Sequence, residues 1–175
     1  MRSAIERLRA DGLIVVSPNS GIRLPEITAR EILDFYELRM VIECHVVQSL
    51  AGGLSSDQAQ QIDSVPAEQE AMAASGDTVR CHQLDLAFHA VPAGFHGNDE
   101  MEQALNRLRD KMYRLARRMH GPYPERLAVN AAQHRAIFEA VRAGNADEAR
   151  QLMKTRLDWG RRFTLDPDRS LGSDR

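Results

Sequence analysis

No stretch of the 175 residues approaches the roughly 20 consecutive apolar positions that a membrane helix needs. The sequence therefore does not span a membrane. A secretory signal is also excluded, because Arg2, Glu6, Arg7, Arg9 and Asp11 interrupt any apolar segment at the amino end. A cytoplasmic location follows by default. Cysteine is scarce: Cys44 and Cys81 fall inside helical patterns without metal-type spacing, and read as small core residues rather than a disulfide framework. Glycine-rich phosphate loops, His-Glu-x-x-His helices and paired Glu-x-x-His segments are all missing. Nucleotide-binding, ordinary metallohydrolase and di-iron readings lose their support. Neither sign of charge dominates. With 23 Lys and Arg against 25 Asp and Glu, the net charge of −2 carries no whole-chain signature of nucleic-acid binding, although a small basic module can hide in such a sum.

What is present is the composition of a soluble globular protein with one main core. Met1 to Ala10 read as a short basic helix with Ile5 and Leu8 on one face, stopped at Asp11-Gly12. Leu13–Val16 and Ile22–Leu24 are apolar runs around the turn cluster Ser17-Pro18-Asn19-Ser20-Gly21, a hairpin pattern closed by Pro25. Beyond it only helices are expected, at roughly 28–51, 55–74, 77–95, 98–120, 124–143 and 146–163. Seams with steps of three and four mark nearly antiparallel packing. They are Met101, Leu105, Leu108, Met112, Leu115 and Met119; Cys81, Leu84, Phe88, Val91 and Phe95; and Leu127, Ala131, His134, Phe138 and Val141. The last helix carries Ala149, Leu152, Met153, Arg156, Gly160 and Phe163 at comparable spacing. A histidine and an arginine thus fall on inward stripes. The second helix is expected to be peripheral and kinked or broken at Pro66. The fold class is an all-α antiparallel bundle of about six helices, with residues 166–175 as a disordered tail.

Asp85 and His89 are four apart on one helix, beside its seam, and form a two-ligand metal edge. His134 projects from another seam, and bundle cores build metal sites from inward groups on facing helices. An imidazole and carboxylate set suits zinc, nickel, manganese or iron. The same spacing also suits, and more often serves, a hydrogen-bonded structural pair. His82 and His96, seven before and seven after His89, are further ligands or a polar flank.

Arg2-Ser3-Ala4-Ile5-Glu6-Arg7-Leu8-Arg9-Ala10-Asp11-Gly12-Leu13, followed by Pro18-Asn19-Ser20-Gly21, resembles the recognition helix and wing of GntR-family regulators. Tyr36-Glu37-Leu38-Arg39, Asp85-Leu86-Ala87-Phe88-His89, Gly97-Asn98, His134-Arg135-Ala136-Ile137 and Gly144-Asn145 resemble that family's FadR-type effector domain, FCD. The resemblance implies residues 1–25 as a partial winged helix-turn-helix and 26–165 as an FCD-like effector domain. The chain begins inside the recognition helix, so two preceding helices are missing, and Met1 stands where the family usually carries valine. Of the family's DNA-contacting residues, only Arg2 carries over.

In the family an aspartate and three histidines hold a divalent metal that helps bind small carboxylates. Asp85, His89 and His134 occupy three of those positions, and Arg156 stands at the fourth. A guanidinium has no lone pair to donate and repels a cation. The substitution points to Arg156, helped by Arg39, pairing with an effector carboxylate in part of the metal's role; the alternative is a three-ligand zinc, nickel or manganese site with Arg156 swung aside. Pro92, three residues after His89, should bend the helix bearing these groups. The function implied is a homodimeric transcription regulator that senses a small organic acid and, in its full-length form, binds operator DNA. Alternatives are a stand-alone effector-binding or dimerisation module, or a metal-dependent hydrolase. No enzyme is expected, since a hydrolase needs a general base in the same pocket and the sequence places no spare Glu there.

Overall fold

The computed structural model describes residues 5–7, 14–17 and 21–172. Residues 5–7 are helical; the rest of the expected recognition helix, its stop, most of the hairpin turn and Arg2 lie outside the described residues. The wing is a short antiparallel hairpin of β1 (Val15–Ser17) and β2 (Gly21–Arg23), with Val15 opposite Arg23 and Val16 opposite Ile22. Its Val16 and Ile22 are exposed.

Six long helices follow: α1 (Ala29–Leu50), α2 (Ser56–Ser75), α3 (Thr78–His96), α4 (Asp99–His120), α5 (Arg126–Arg142) and α6 (Ala146–Leu165). Every expected span is present to within two residues at each end. The starts are chemically marked. Thr28 and Ser55 form capping boxes with Glu31 and Gln58, and Asp77 and Asn98 accept backbone N–H groups of the first turns they precede. α1 runs along α6, α2 lies against α3 and α5, α3 against α4, and α5 against α6. The seams read from the sequence converge in the centre: Phe88, Ala131, Phe138, Val141, Ala149 and Met153 are buried to 1% exposure or less. Burying aromatic and branched side chains at this level stabilises by roughly 1.5–3 kcal/mol each. Where the loop after α1 crosses the loop after α5, Gly52 Cα and Gly144 Cα face each other with no side chain between, and Gly52 N donates to Val141 O at 3.1 Å.

Two expectations are corrected. α2 is peripheral as expected, with four buried residues, but it is not broken: it stays helical through Pro66, which is fully buried beside Ile62 and Val65. One lost hydrogen bond is offset by packing against helices on two sides, reinforced by Arg135 on Glu70 and Arg142 on Asp63. α3 likewise continues through Pro92. The expected disordered tail instead forms a short helix, α7 (Pro167–Gly172), against α6. Pro167 supplies a start compatible with helix geometry; residues 173–175 lie outside the described residues.

Candidate functional site

Helical periodicity delivers the site. On α3, Asp85 and His89 lie one turn apart beside Phe88, and all three face inward. His134 stands in the apolar seam of α5 with its ring stacked on Phe88 at 3.5 Å and 6°. One donor atom each from Asp85, His89 and His134 lies within 4.8 Å of the others, and all three residues are buried. The sequence-expected triad is therefore brought together. Arg156 of α6 reaches it, Nη2 donating to Asp85 Oδ1 at 2.9 Å and to Asn130 Oδ1 at 3.0 Å. Arg39 of α1 reaches it too, with Nη2 2.8 Å from His89 Nε2.

The outer partners fix the tautomers. Glu43 Oε2, an acceptor, lies 2.5 Å from His89 Nδ1, so Nδ1–H donates and Nε2 keeps its lone pair. His134 Nδ1–H donates to Gln69 Oε1 at 2.7 Å, leaving Nε2 buried without a hydrogen-bond partner, 3.6 Å from Asp85 Oδ1. Carboxylate or carbonyl acceptors behind imidazoles are the second-layer arrangement of metal sites. In donor type and orientation these residues fit a divalent ion. Two guanidinium groups compete with it, Arg156 for Asp85 Oδ1 and Arg39 for His89 Nε2.

Charge follows from burial and pairing. Burial alone would raise the Asp85 pKa, but the Arg156 guanidinium holds its carboxyl well below the usual carboxylate range. Glu43 is treated the same way: burial opposes its charge, yet Arg39 and His89 bring it down to about 2. Burial pushes His89 and His134 below the ordinary histidine range, so both imidazoles are neutral at neutral pH. Two arginines thus face two carboxylates, and the buried cluster balances to zero net charge.

Beside this cluster a narrow cleft is lined by Tyr36, Arg39, Asp85, Asn130, Arg156 and Trp159, among others. Of the five residues expected to touch an effector, Arg39, Asp85 and Arg156 line this cleft, while His89 and His134 stand behind Asp85. Arg156 Nε, in a side chain 9% exposed, is buried without a hydrogen-bond partner. His82 and His96 are not part of the triad. His82 stacks on His120, with Nε2 3.3 Å from His120 Nδ1, and His96 meets His45 edge to face.

Sequence reasoning missed Glu43, Gln69 and Asn130. Glu43 lies between Arg39 and His89, committed to both. Its signal was there: Arg39 and Glu43 are four apart on a face shared with Tyr36 and Val46, where an unpaired charge is not tolerated. Gln69 shares a three-and-four-step stripe with Ile62 and Val65, and Asn130 precedes His134 by one turn. Polar residues in such registers are site candidates.

Residues 34–158 match the FCD domain family. YdhC, an HTH-type transcriptional regulator of Bacillus subtilis, is 22% identical over 152 residues, covering 86% of this chain and 67% of that one. A transcriptional regulator GntR from Rhodococcus sp. RHA1 has a similar solved structure, with a TM-score of 0.72 and 24% identity over 94% of this chain and 78% of that one. E. coli McbR/YncC superposes with a TM-score of 0.78 at 14% identity, covering 95% of this chain and 79% of that one. At these identities the solved structures share the fold.

Proposed function

Because the chain belongs to the FCD-domain family, matched over residues 34–158, we propose that it is the sensing part of a GntR-type transcription regulator whose helical cleft binds a small carboxylate. The observation that carries this reading is the pair of buried guanidinium groups, Arg39 and Arg156, lining one cleft with Arg156 Nε unpartnered. A planar fork of N–H donors in a desolvated site is matched by a carboxylate. The relatives are regulators rather than enzymes, so the hydrolase reading is set aside. In the full regulator, a homodimer, effector binding alters operator affinity only as far as the effector prefers one dimer arrangement, and the coupling is reciprocal. Arg2 and the hairpin belong to the DNA-binding side of this reading.

Asp85, His89 and His134 would hold a divalent ion, zinc, nickel or manganese, through one carboxylate oxygen and two Nε2 atoms. When bound, such an ion adds positive charge for an anionic ligand.

Thermal unfolding in the presence of acetate, succinate and citrate tests the reading. At least one raises the Tm of the wild-type chain, and the rise is lost in R156M. Since R156M strands the Asp85 charge, the D85N/R156M double variant, which removes both charges, is measured beside it. A carboxylate-induced rise that survives in both variants contradicts the assignment. Selection from random duplexes followed by gel shift tests the DNA side: a regulator enriches a two-fold-symmetric site, and loses it or tightens on it when carboxylate is added.

A further inference from the structure

A second cavity adjoins the polar cleft. It has a volume of about 240 Å³ and is lined by Leu115, Met119, Pro122, Tyr123, Phe163 and Pro167, with Arg118, Thr164 and Asp168 as its polar members. Leu115 and Met119 line both cavities, so two side chains of α4 are the shared wall.

The two are joined along α6 as well. Arg156, Gly160 and Thr164 follow one another at single-turn spacing, a rise of about 12 Å from first to last. They pass from the guanidinium end of the cleft to the wall of the second cavity. Gly160 lets Tyr36 close against that face at mid-length, with Tyr36 Oη 2.9 Å from the position of an added Cβ. Tyr36, in the cleft, in turn bonds the Thr164 hydroxyl at 3.1 Å in the second cavity's wall. Aromatic rings continue the path: Trp159 of the cleft stacks on Phe163, which meets Tyr123 edge to face in the second cavity. One end of this path presents two buried guanidinium groups; the other is chiefly apolar and aromatic.

We propose that the ligand of this chain is an amphipathic carboxylic acid, its carboxylate at Arg39 and Arg156 and its apolar chain passing Leu115 and Met119 into the cavity lined by Tyr123, Phe163 and Pro167. The proposal rests on the carboxylate reading and adds the nature of the tail. A small polyacid satisfies the guanidinium end but leaves the second cavity without an occupant. An apolar chain seated there gains by leaving water, while Leu115 and the unbranched Met119 are the side chains that must part to admit it.

Trp159 is the only tryptophan in the chain and sits between the two regions, so its emission reports occupancy. Titration with acetate, hexanoate and decanoate should give affinities rising roughly two- to fourfold per added methylene. Decanol, which lacks the carboxylate, should bind far more weakly than decanoate, which excludes adsorption to apolar surface in general. P167W fills the second cavity and leaves the guanidinium end intact: acetate affinity should be unchanged and most of decanoate's advantage lost. Acetate and decanoate binding equally well, or P167W leaving decanoate unaffected, overturns the amphipathic ligand while the carboxylate reading stands. Failure of every carboxylate, including succinate and citrate, overturns both.

Discussion

Gly160 shows how closely single residues define the cleft. An added Cβ would stand 2.9 Å from Tyr36 Oη and 3.2 Å from its Cε1, and Tyr36 is held by its neighbours and by Thr164. G160A should therefore lower stability by about 1–3 kcal/mol as Tyr36 is displaced, read as a drop in Tm. An unchanged Tm would mean the ring has free space to move into. Arg156 governs the metal question in the same local way. R156H supplies a third imidazole as the fourth ligand and removes the positive charge bound to Asp85, so zinc affinity measured by calorimetry should rise on the order of tenfold or more. If the variant binds zinc no more tightly than the wild type, Asp85, His89 and His134 do not form a metal site. Individual site residues were only partly legible. Asp85, His89, His134, Arg39 and Arg156 stood out by spacing and by family resemblance, whereas Gln69 and Asn130 are ordinary surface-type residues whose roles depend on which helices meet.

At the scale of elements, the sequence was far more informative, because helix starts and seams are local signals. The Thr28–Glu31 capping box illustrates this, and it makes a pH prediction. Backbone and hydroxyl donors of Thr28, with Lys111, lower the Glu31 pKa from 4.5 to about 2. An acid with a depressed folded pKa adds stability that is complete above its unfolded value and fades as pH falls toward its folded one. Relative to E31Q, the wild type should hold a constant advantage in unfolding free energy above about pH 4.5 and lose it as the pH approaches 2. A gap still open at pH 2 would show that the charge of Glu31 is not what matters. α2 and α7 were the elements misread. Pro66 breaks an isolated helix, but its cost is small beside the burial of Ile62, Val65 and Pro66 between neighbours, and that burial is a tertiary fact. α7 is six residues long and its pattern is too short to register a period.

Across the whole molecule, α4 is the element that joins the parts. Met112, Leu115 and Ala116 line the cleft, while Arg114 donates to Pro25 O and Lys111 pairs with Glu31 at the entry to α1. The cleft and the segment leading from the hairpin are thus attached to one helix. On the proposed reading, a ligand bound beside α4 would act on the element that holds the connection. No helix among the described residues is long and apolar enough to cross a membrane, and the amphipathic helices close around a single core. The most direct measurement of the central claim is a crystal structure of the chain grown with a saturating carboxylate. The expected result is a ligand in the cleft with carboxylate oxygens at hydrogen-bond distance from Arg156 Nε and from Arg39. A ligand held elsewhere, or a cleft containing only water at saturation, would contradict it.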